Sequence, residues 1–536
     1  MLLRRANHRI PILPLLFLII LNLSFRAECE QSGPRGEIRV VESLRPDINV
    51  LGHNVLQYLF EYALDRNELT PSLAVSKTWI DDTTLEIHLR QGVRFHNGEP
   101  FDADAVKFNF DYQRRYNQGR GIQVYMKKVE EIQVVDHYIV RLMLDQPDSL
   151  LLDKIAIGPI AGWTMGAPEY MRQVGWEEFL KRPVGTGPYM VEGEIKDYRV
   201  LSQGETYATL VANAHYWQKS HPKISKIMFI RYSPKAAVRA VMEGRVDLVT
   251  SLVAKDAWKV DKSRLSKVVR GTEDVTFTSA QFNLKSPHTA PLYDLRVRKA
   301  LNYAINKKEL MRYAYKGNAV EMRGALTAKA GVDLTDTEAY SWDIPKAREL
   351  LKEAGYAGGF RMPLYYQEKN FLIAQFLQRF YSLLNIDVEI TPVEWEWIVN
   401  HIVYPNTRDD YSWKDEDWWI ILYSNPGYVP ELMGGQLEWS YHLDAPWRSI
   451  PDSMLEPLDE MYQEVLRTKN PERRFEIYKK ANGYIADQAL QVFTMSPLSL
   501  YGVNEEVNFV PQVSQYLYLD YSSVTDSHWS IRGENN

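Results

Sequence analysis

Short runs of alternating apolar and polar residues occur along the chain, together with runs that have the spacing of amphipathic helices. Thr84–Leu89 alternates throughout, which predicts a half-buried strand. Pro234–Met242 has helical spacing and is followed by Gly244, a residue type that commonly ends helices. Residues 246–249 then predict another strand. This strand–helix–strand order predicts an α/β protein.

Other segments extend the same pattern. A helix is predicted over residues 54–63, and Asp102 is expected to cap a helix that follows a turn at Asn97 and Gly98. In the second half, helices are predicted at 297–304, 345–354, 372–384 and 472–487, and strands at 362–366 and 388–390.

The first 29 residues have the pattern of an export signal. Arg4, Arg5 and Arg9 form a basic start, and residues 10–23 are a mostly apolar run. An apolar run of about fourteen residues is too short to cross a membrane as a helix, which needs roughly 20. We therefore predict a cleaved signal peptide over residues 1–29 and a periplasmic mature protein.

Cys29 is the only cysteine, so the mature chain can form no internal disulfide. Glu28 precedes it where a lipoprotein signal has a small residue, and lipid anchoring at Cys29 is therefore not expected.

Composition and charge narrow the function classes. The net charge is −6 and the isoelectric point about 6.1, which argues against a nucleic-acid partner. The chain is 45% hydrophobic, enough for a large core, but it has no second apolar run that could span a membrane.

Four segments carry a resemblance to a known family. They are residues 69–79 with 84–106, residues 183–189, residues 243–247, and residues 282–283 with 294–306. The first includes Leu-Arg-Gln-Gly-Val-Arg-Phe-His-Asn-Gly-Glu-Pro-Phe at 89–101. In this order they resemble the bacterial extracellular solute-binding proteins of family 5, which include oligopeptide- and dipeptide-binding proteins of ABC transporters. Gly185 and Gly187 of the second segment are expected to allow unusual backbone angles.

The resemblance implies an α/β fold of periplasmic-binding-protein type II, in the large cluster C-like form with two lobes and an extra domain. Lobe I would comprise residues 36–75, 185–285 and 501–532, the extra domain 76–184, and lobe II 286–500. The function implied is capture of a peptide or similar small solute between the lobes and its delivery to an ABC permease in the inner membrane. The protein is expected to be a monomer.

Relatives that bind peptides often carry an acidic residue in a Trp-x-Ala-Asp-Tyr stretch, which pairs with the peptide amine. Asn425 and Pro426 replace that position here, and Glu431 could compensate. The loss leaves a saccharide, an opine-like compound or a metal chelate open as the ligand.

Aromatic residues are dense in this part of the chain and could form a stacking surface or a packed core. The candidate ligand-binding residues are Asn283, Trp395, Trp397, Trp418, Tyr423, Asn425 and Glu431. Trp418 and Trp419 would point to opposite faces of a strand, so at most one should face a cleft.

No enzyme motif is present: the sequence lacks Gly-x-Ser-x-Gly, His-Glu-x-x-His, a Walker motif and a cysteine pair. The 11 histidines are scattered. We therefore expect no catalytic residue, no metal site and no cofactor. A secreted enzyme or a receptor with the same fold is the alternative.

Overall fold

The structure is a computed structural model that describes residues 33–42, 46–62, 69–116, 128–156, 163–273, 278–325, 340–407, 413–424, 437–512 and 517–532. The predicted signal peptide at residues 1–29 lies outside these ranges and stays a prediction.

The largest sheet has eight strands and forms the first lobe. Its strands are β1 (Glu37–Val41), β8 (Tyr189–Val191), β9 (Thr206–Ala212), β10 (Lys226–Ile230), β11 (Leu248–Val249), β12 (Ser266–Glu273), β14 (Ala319–Glu321) and β19 (Met495–Asn504). The order is β12-β19-β11-β1-β10-β9-β8, and β14 pairs with β19. The central strand β1 is parallel to β10 and β11. Its alternation sends Ile38 and Val40 into one buried cluster and Val41 into another, so both faces of the sheet are covered.

A five-stranded sheet forms the second lobe. Its strands are β13 (Thr278–Phe282), β15 (Arg361–Tyr366), β16 (Asp387–Pro392), β17 (Ile420–Ser424) and β18 (Gln491–Val492), in the order β16-β15-β17-β13-β18. Strands β16 and β17 are both parallel to β15. Along the described elements, the chain crosses between the two large sheets four times: from β12 to β13, from β13 to β14, from β14 to β15 and from β18 to β19.

A four-stranded antiparallel sheet forms the extra domain. Its strands are β4 (Ala74–Trp79), β5 (Thr84–Leu89), β6 (Val129–Asp136) and β7 (Ile139–Leu144), in the order β4-β5-β7-β6. Two strand pairs complete the described sheets, β2 (Phe60–Tyr62) with β3 (Leu69–Pro71) and β20 (Val507–Asn508) with β21 (Ser523–Val524).

Helices cover these sheets. The α-helices are α1 (Pro46–Val55), α2 (Ala103–Tyr116), α3 (Leu151–Ala156), α4 (Pro168–Val174), α5 (Trp176–Lys181), α6 (Pro234–Met242), α7 (Ala254–Val260), α8 (Leu295–Tyr303), α9 (Lys307–Glu309), α10 (Ile344–Glu353), α11 (Phe371–Ser382), α12 (Trp395–Ile398), α13 (Tyr404–Thr407), α14 (Asp452–Arg467), α15 (Pro471–Asp487) and α16 (Trp529–Arg532). π-Helical turns at Leu310–Ala314 and Val399–Val403 continue α9 and α12, and 3₁₀ turns occupy Pro287–Tyr293, Glu368–Asn370, Trp413–Asp415 and Leu519–Tyr521. Within the ranges given above, no helix has the length and apolar character that crossing a bilayer requires.

Several predicted elements are confirmed. Strand β5 and helix α6 have the predicted bounds. Asp102 caps α2 as expected, because its carboxylate accepts a hydrogen bond from the backbone N–H of Ala105 at 2.9 Å.

The helix predicted over residues 54–63 is wrong. Helix α1 ends at Val55, and β2 begins at Phe60. Residues 56–60 are all buried, with Gln57 among them. A segment enclosed on every side keeps no amphipathic period, so its apolar residues do not distinguish a helix from an irregular turn.

The two glycines of the 183–189 segment are needed for close packing. A Cβ atom at Gly185 would lie 2.1 Å from the carbonyl oxygen of Val55, and one at Gly187 would lie 2.7 Å from the same atom. Neither glycine has a φ in the left-handed region, so close packing, and not a left-handed backbone, explains the need for glycine at both positions. His96 joins this contact and accepts a hydrogen bond at Nδ1 from the Gly185 N–H, at 3.3 Å.

An aromatic edge as the candidate ligand site

Three parallel strands of the second lobe, β15, β16 and β17, end at one edge of their sheet. The crossings from β12 to β13 and from β18 to β19 are at this same edge, because β13 begins opposite the end of β17 and β18 runs towards it. In open α/β sheets, ligands bind in the crevice outside the carboxyl ends of the strands. This edge is therefore the candidate ligand site, and we call it the aromatic edge after the rings described next.

One ring stack at the aromatic edge consists of Trp395, Trp447 and Tyr423. The ring centroids of Trp395 and Trp447 are 5.4 Å apart, and those of Trp447 and Tyr423 are 5.6 Å apart with an interplanar angle of 16°. The Tyr423 hydroxyl donates to Gln281 Oε1 at 3.1 Å, and Gln281 Nε2 donates to the Trp447 carbonyl at 2.7 Å. Gln281 thus fixes the inner end of the stack.

A second stack packs in the same cluster and extends from the first along the face of the sheet, towards the start of β17. The rings of Tyr365 and Trp397 are 4.7 Å apart and nearly parallel at 10°, and His401 stacks on the other side of Trp397 at 4.2 Å. His401 Nδ1 lies 3.1 Å from both carboxylate oxygens of Glu416. The Tyr365 hydroxyl donates to Asp417 Oδ1 at 3.3 Å, and burial, followed by the charge of Asp417, raises the pKa of Tyr365 to about 12.

The position of α12 explains why two nearby tryptophans join different stacks. Strand β16 ends at Pro392, and α12 begins at Trp395 directly beyond the sheet edge. Residues two apart on a helix do not face each other, so Trp395 reaches Trp447 while Trp397 reaches Tyr365. Helix α12 ends at Ile398 and continues as a π-helical turn from Val399, a feature frequently found at functional sites.

Part of the aromatic edge is open. Trp395 is 44% exposed, and Phe371 and Leu372 at the start of α11 are 40% and 43% exposed. Phe371 lies 5.7 Å from Tyr366, the last residue of β15, so the start of α11 lies at the same edge. The sequence prediction began this helix at residue 372 and missed its exposed apolar start. Consecutive apolar residues in the first turn were the available signal.

Two predicted residues, Trp397 and Tyr423, lie within the stacks as supporting rings, and Tyr423 is only 1% exposed. Trp418 is fully buried in the same cluster. Trp419 belongs to the main hydrophobic core of the second lobe, on the opposite face, where it stacks on Phe360 at 5.4 Å. The prediction that neighbouring tryptophans point to opposite faces is confirmed.

Asn283 lies at the other end of β17, away from the aromatic edge. Its Nδ2 donates to the Trp418 carbonyl at 3.0 Å, and its Oδ1 accepts from the backbone N–H groups of Lys285 and Ser286 at 3.2 Å. The residue is fully buried, and these bonds organise the loop after β13. Asn425 and Glu431 lie outside the described residues, so their placement stays a prediction.

Metal binding has no support in the described residues. Across these ranges, no group of three or more His, Cys, Asp or Glu side chains is arranged to hold a metal ion. The chemistry available at the aromatic edge is ring stacking and apolar contact, with carboxylates and hydroxyls behind the rings.

Comparison with known proteins identifies the family. A model described as "Bacterial extracellular solute-binding proteins, family 5 Middle" matches residues 68–441. The chain belongs to this family. It is a solute-binding protein of the kind that delivers small ligands to ABC permeases.

Two curated relatives extend the match over most of this solute-binding protein. Heme-binding protein A of Haemophilus influenzae is 25% identical over 484 residues, which are 82% of this chain and 81% of the relative. The dipeptide-binding protein of Escherichia coli is 25% identical over 472 residues, 80% of this chain and 81% of its own length.

A solved structure supports the fold independently. It is an ABC transporter-associated periplasmic binding protein from Helicobacter pylori in complex with a peptide. It superposes with a TM-score of 0.70 over 92% of this chain and 99% of its own, at 20% sequence identity. The predicted fold class, a type II periplasmic binding protein, is confirmed.

Proposed function

We propose that this solute-binding protein captures a peptide or a similar small solute at the aromatic edge, between its two lobes, and releases it to an ABC permease in the inner membrane. The observation that carries the proposal is Trp395. Its ring is 44% exposed, rests on a fixed stack and lies at the edge where the chain passes between the lobes.

The stacks favour binding because they are preformed. Trp447 and Tyr423 are buried and held by Gln281, so little side-chain freedom remains to be lost when a ligand contacts Trp395. Aromatic rings offer large apolar faces at small entropic cost, and ring contacts add about 0.5–1.5 kcal/mol beyond the area they bury. A solute with planar or apolar groups would gain most from this surface.

The ligand class stays broader than ordinary peptides. The curated relatives are named for heme and for dipeptides. The sequence has Asn425 where peptide binders often have an acid, so capture of a free amine is not a required feature. A saccharide, an opine-like compound or a metal chelate is therefore a possible outcome of the test below.

The remaining parts of the proposal come from the sequence. Residues 1–29 would direct export to the periplasm and be removed, without lipid attachment at Cys29. The mature chain would act as a monomer, with its extra domain near residues 76–184. Its lobes would follow the predicted boundaries, 36–75, 185–285 and 501–532 for the first and 286–500 for the second, except that each boundary strand would belong to the lobe whose sheet it joins: β13 to the second lobe, and β14 and the start of β19 to the first. It would bind its solute without turning it over.

The proposal is tested by native mass spectrometry of protein purified from its host without denaturation, followed by melting measurements with a panel of dipeptides, longer peptides, hemin and sugars. We expect a retained small molecule, recovered chemically unchanged, and a rise in melting temperature with its class, because a ligand that binds only the folded state stabilises it. No retained molecule and no shift across the panel would contradict the proposal. A bound compound that is converted during incubation would favour the enzyme alternative.

A further inference from the structure

The extra domain contacts the second lobe, although the chain does not run directly from one to the other. Its four strands lie between β3 and β8 in sequence, so the chain enters and leaves it from the first lobe. Its contacts with the second lobe nevertheless include buried charges, a buried apolar residue and main-chain hydrogen bonds. Such contacts form only when the two lobes are close together.

Four charged side chains make the central contact, and we call them the cross-lobe ion cluster: Lys128, Asp148, Lys154 and Glu438. The first three belong to the extra domain, and Glu438 belongs to a helical turn of the second lobe. Lys154 Nζ lies 2.9 Å from Asp148 and 3.0 Å from Glu438, and Lys128 Nζ lies 3.3 Å from Asp148 and 3.8 Å from Glu438. Each lysine therefore bridges both carboxylates.

The cluster is balanced and largely removed from solvent. The exposed fraction is 0% for the Asp148 side chain, 7% for Lys154, 8% for Glu438 and 16% for Lys128. Burial alone would raise the pKa of Asp148, but Lys154 and Lys128 outweigh it and hold that pKa below its usual value. Glu438 is the member of this four-residue cluster that comes from the second lobe, so separation of the lobes would leave the two lysines of the cluster with one of its two carboxylates, Asp148.

Ser149 and Leu150, which directly follow Asp148, also contact the second lobe. Ser149 donates from its backbone N–H to the Leu466 carbonyl at 2.8 Å and from its hydroxyl to the Val465 carbonyl at 2.7 Å. These carbonyls lie in the last turn of α14, where a helix lacks its usual donors, although the Val465 carbonyl also accepts from the Thr468 N–H at 3.0 Å. Leu150 is 1% exposed and belongs to the main hydrophobic core of the second lobe.

We propose that the cross-lobe ion cluster is a latch that favours the closed arrangement of the lobes even without a ligand. The inference rests on the proposed function, since it takes hinge closure as the binding motion. Loss of the latch would weaken ligand binding. Fewer ligand-free molecules would then have the closed arrangement, and the apparent affinity decreases when the binding-competent fraction decreases.

Three variants separate the latch from general folding defects. Glu438→Gln removes the cross-lobe charge with little change in shape. Lys128→Met combined with Glu438→Gln removes the same cross-lobe pairs but restores charge balance, since Lys154 still neutralises Asp148. The matched control is Asp82→Asn, which breaks the pair with Lys469 at 2.8 Å across the same interface; the Asp82 side chain is 77% exposed.

The measurement is the distance between spin labels at Arg115→Cys in α2 and Lys480→Cys in α15, in the ligand-free protein without its leader. These become the only cysteines when residues 1–29 are absent. We expect the wild type and Asp82→Asn to share one short main distance. Glu438→Gln and the double variant should move their main population to longer distances. Denaturant unfolding should show the double variant to be about as stable as the wild type.

Identical distance distributions for the wild type, Glu438→Gln and the double variant would overturn the latch. A wild type that is already open without ligand would give that result and overturn it equally. The proposed function is judged by the retained ligand and the melting temperature, which do not enter this experiment. Either idea can therefore fail while the other stands.

Discussion

The charged junction around His53 and the aromatic edge around Trp395 are built on opposite principles. His53 Nδ1 lies 3.0 Å from Glu61 and Nε2 lies 3.0 Å from Asp520, and its ring stacks on Tyr518 at 4.1 Å. All of its charges are enclosed. At the aromatic edge, by contrast, the outermost ring is nearly half exposed and carries no charge.

The difference shows how one chain provides a rigid junction around His53 and, at the aromatic edge, a surface that can bind and release a ligand. A buried ion pair is costly to break, because the remaining charge stays desolvated. Such a joint suits the junction of the first lobe with the extra domain, where β2 and the C-terminal segment meet. An exposed ring can gain or lose a ligand without leaving a buried charge unpaired, and this suits a site that must load and unload.

The largest expected effect is at the junction. His53→Gln removes the cation between Glu61 and Asp520 and should lower the free energy of unfolding by about 3–5 kcal/mol, because two buried carboxylates lose their counter-charge. Urea unfolding at neutral pH measures this. His88→Gln is the control, because the His88 side chain is 40% exposed and should change stability little. Equal stability of both variants would contradict the assignment of His53 as a buried cation.

The same junction predicts a pH dependence. Burial opposes the charge on His53, but Glu61 and Asp520 together raise its pKa from 6.5 to about 10. The folded state therefore binds this proton more tightly than the unfolded state. Its contribution to stability is complete below pH 6.5 and is lost as the pH rises to about 10. The stability difference between the wild type and His53→Gln should shrink over this window, and a constant difference would refute the sign.

His96 should give a smaller dependence of opposite sign. Burial lowers its pKa from 6.5 to about 4, and its neutral ring donates from Nε2 to the Gly187 carbonyl at 3.0 Å. Protonation is disfavoured in the folded state, so this contribution is present above pH 6.5 and lost as the pH falls towards 4. Urea midpoints of the wild type and His96→Gln should therefore converge on acidification. Divergence at low pH would contradict the neutral assignment.

The aromatic edge should show a change in affinity with little change in stability. Trp395→Ala should weaken binding of the retained ligand by about 2 kcal/mol, roughly thirtyfold, as expected for loss of a central tryptophan contact. Its unfolding free energy should stay within about 0.5 kcal/mol of the wild type, as for most surface changes. Isothermal titration and urea unfolding check the two parts.

Trp258→Ala is the matched control for Trp395→Ala and the smallest expected effect. Trp258 is 59% exposed on α7 of the first lobe, where its ring contacts Lys262 and, among the residues that the structure describes, stacks on no other ring. Affinity and stability should both remain near wild type. A loss of affinity equal to that of Trp395→Ala would mean that binding responds to any surface tryptophan.

Local elements could be predicted where the apolar pattern had one clear period. Strand β5 and helix α6 each have one solvent-facing side, and both were predicted with the observed bounds. Residues 56–60 are enclosed on all sides, so no period was left and a helix was wrongly extended through them. Gly185 and Gly187 were recognised as special, but their cause, the approach of the Val55 carbonyl, depends on residues more than a hundred positions away.

The sequence could predict several aromatic residues of the candidate site, but not which side chains they contact. The dense aromatic residues of the second lobe indicated Trp395, Trp397 and Tyr423. Asn283 was chosen from its position in a family motif, and its hydrogen bonds to the loop after β13 became visible only when the strands were assembled. Trp447 and Gln281, which support the first stack, carry no local signal, because each acts through a partner distant in sequence.

The most direct test of the central claim is the amount of native ligand that remains bound to Trp395→Ala after gentle purification, measured by native mass spectrometry beside the wild type and Trp258→Ala. We predict that the wild type and Trp258→Ala carry the same ligand and that Trp395→Ala has lost most of it while still folded. Equal occupancy in all three proteins would contradict the claim that the aromatic edge binds the solute.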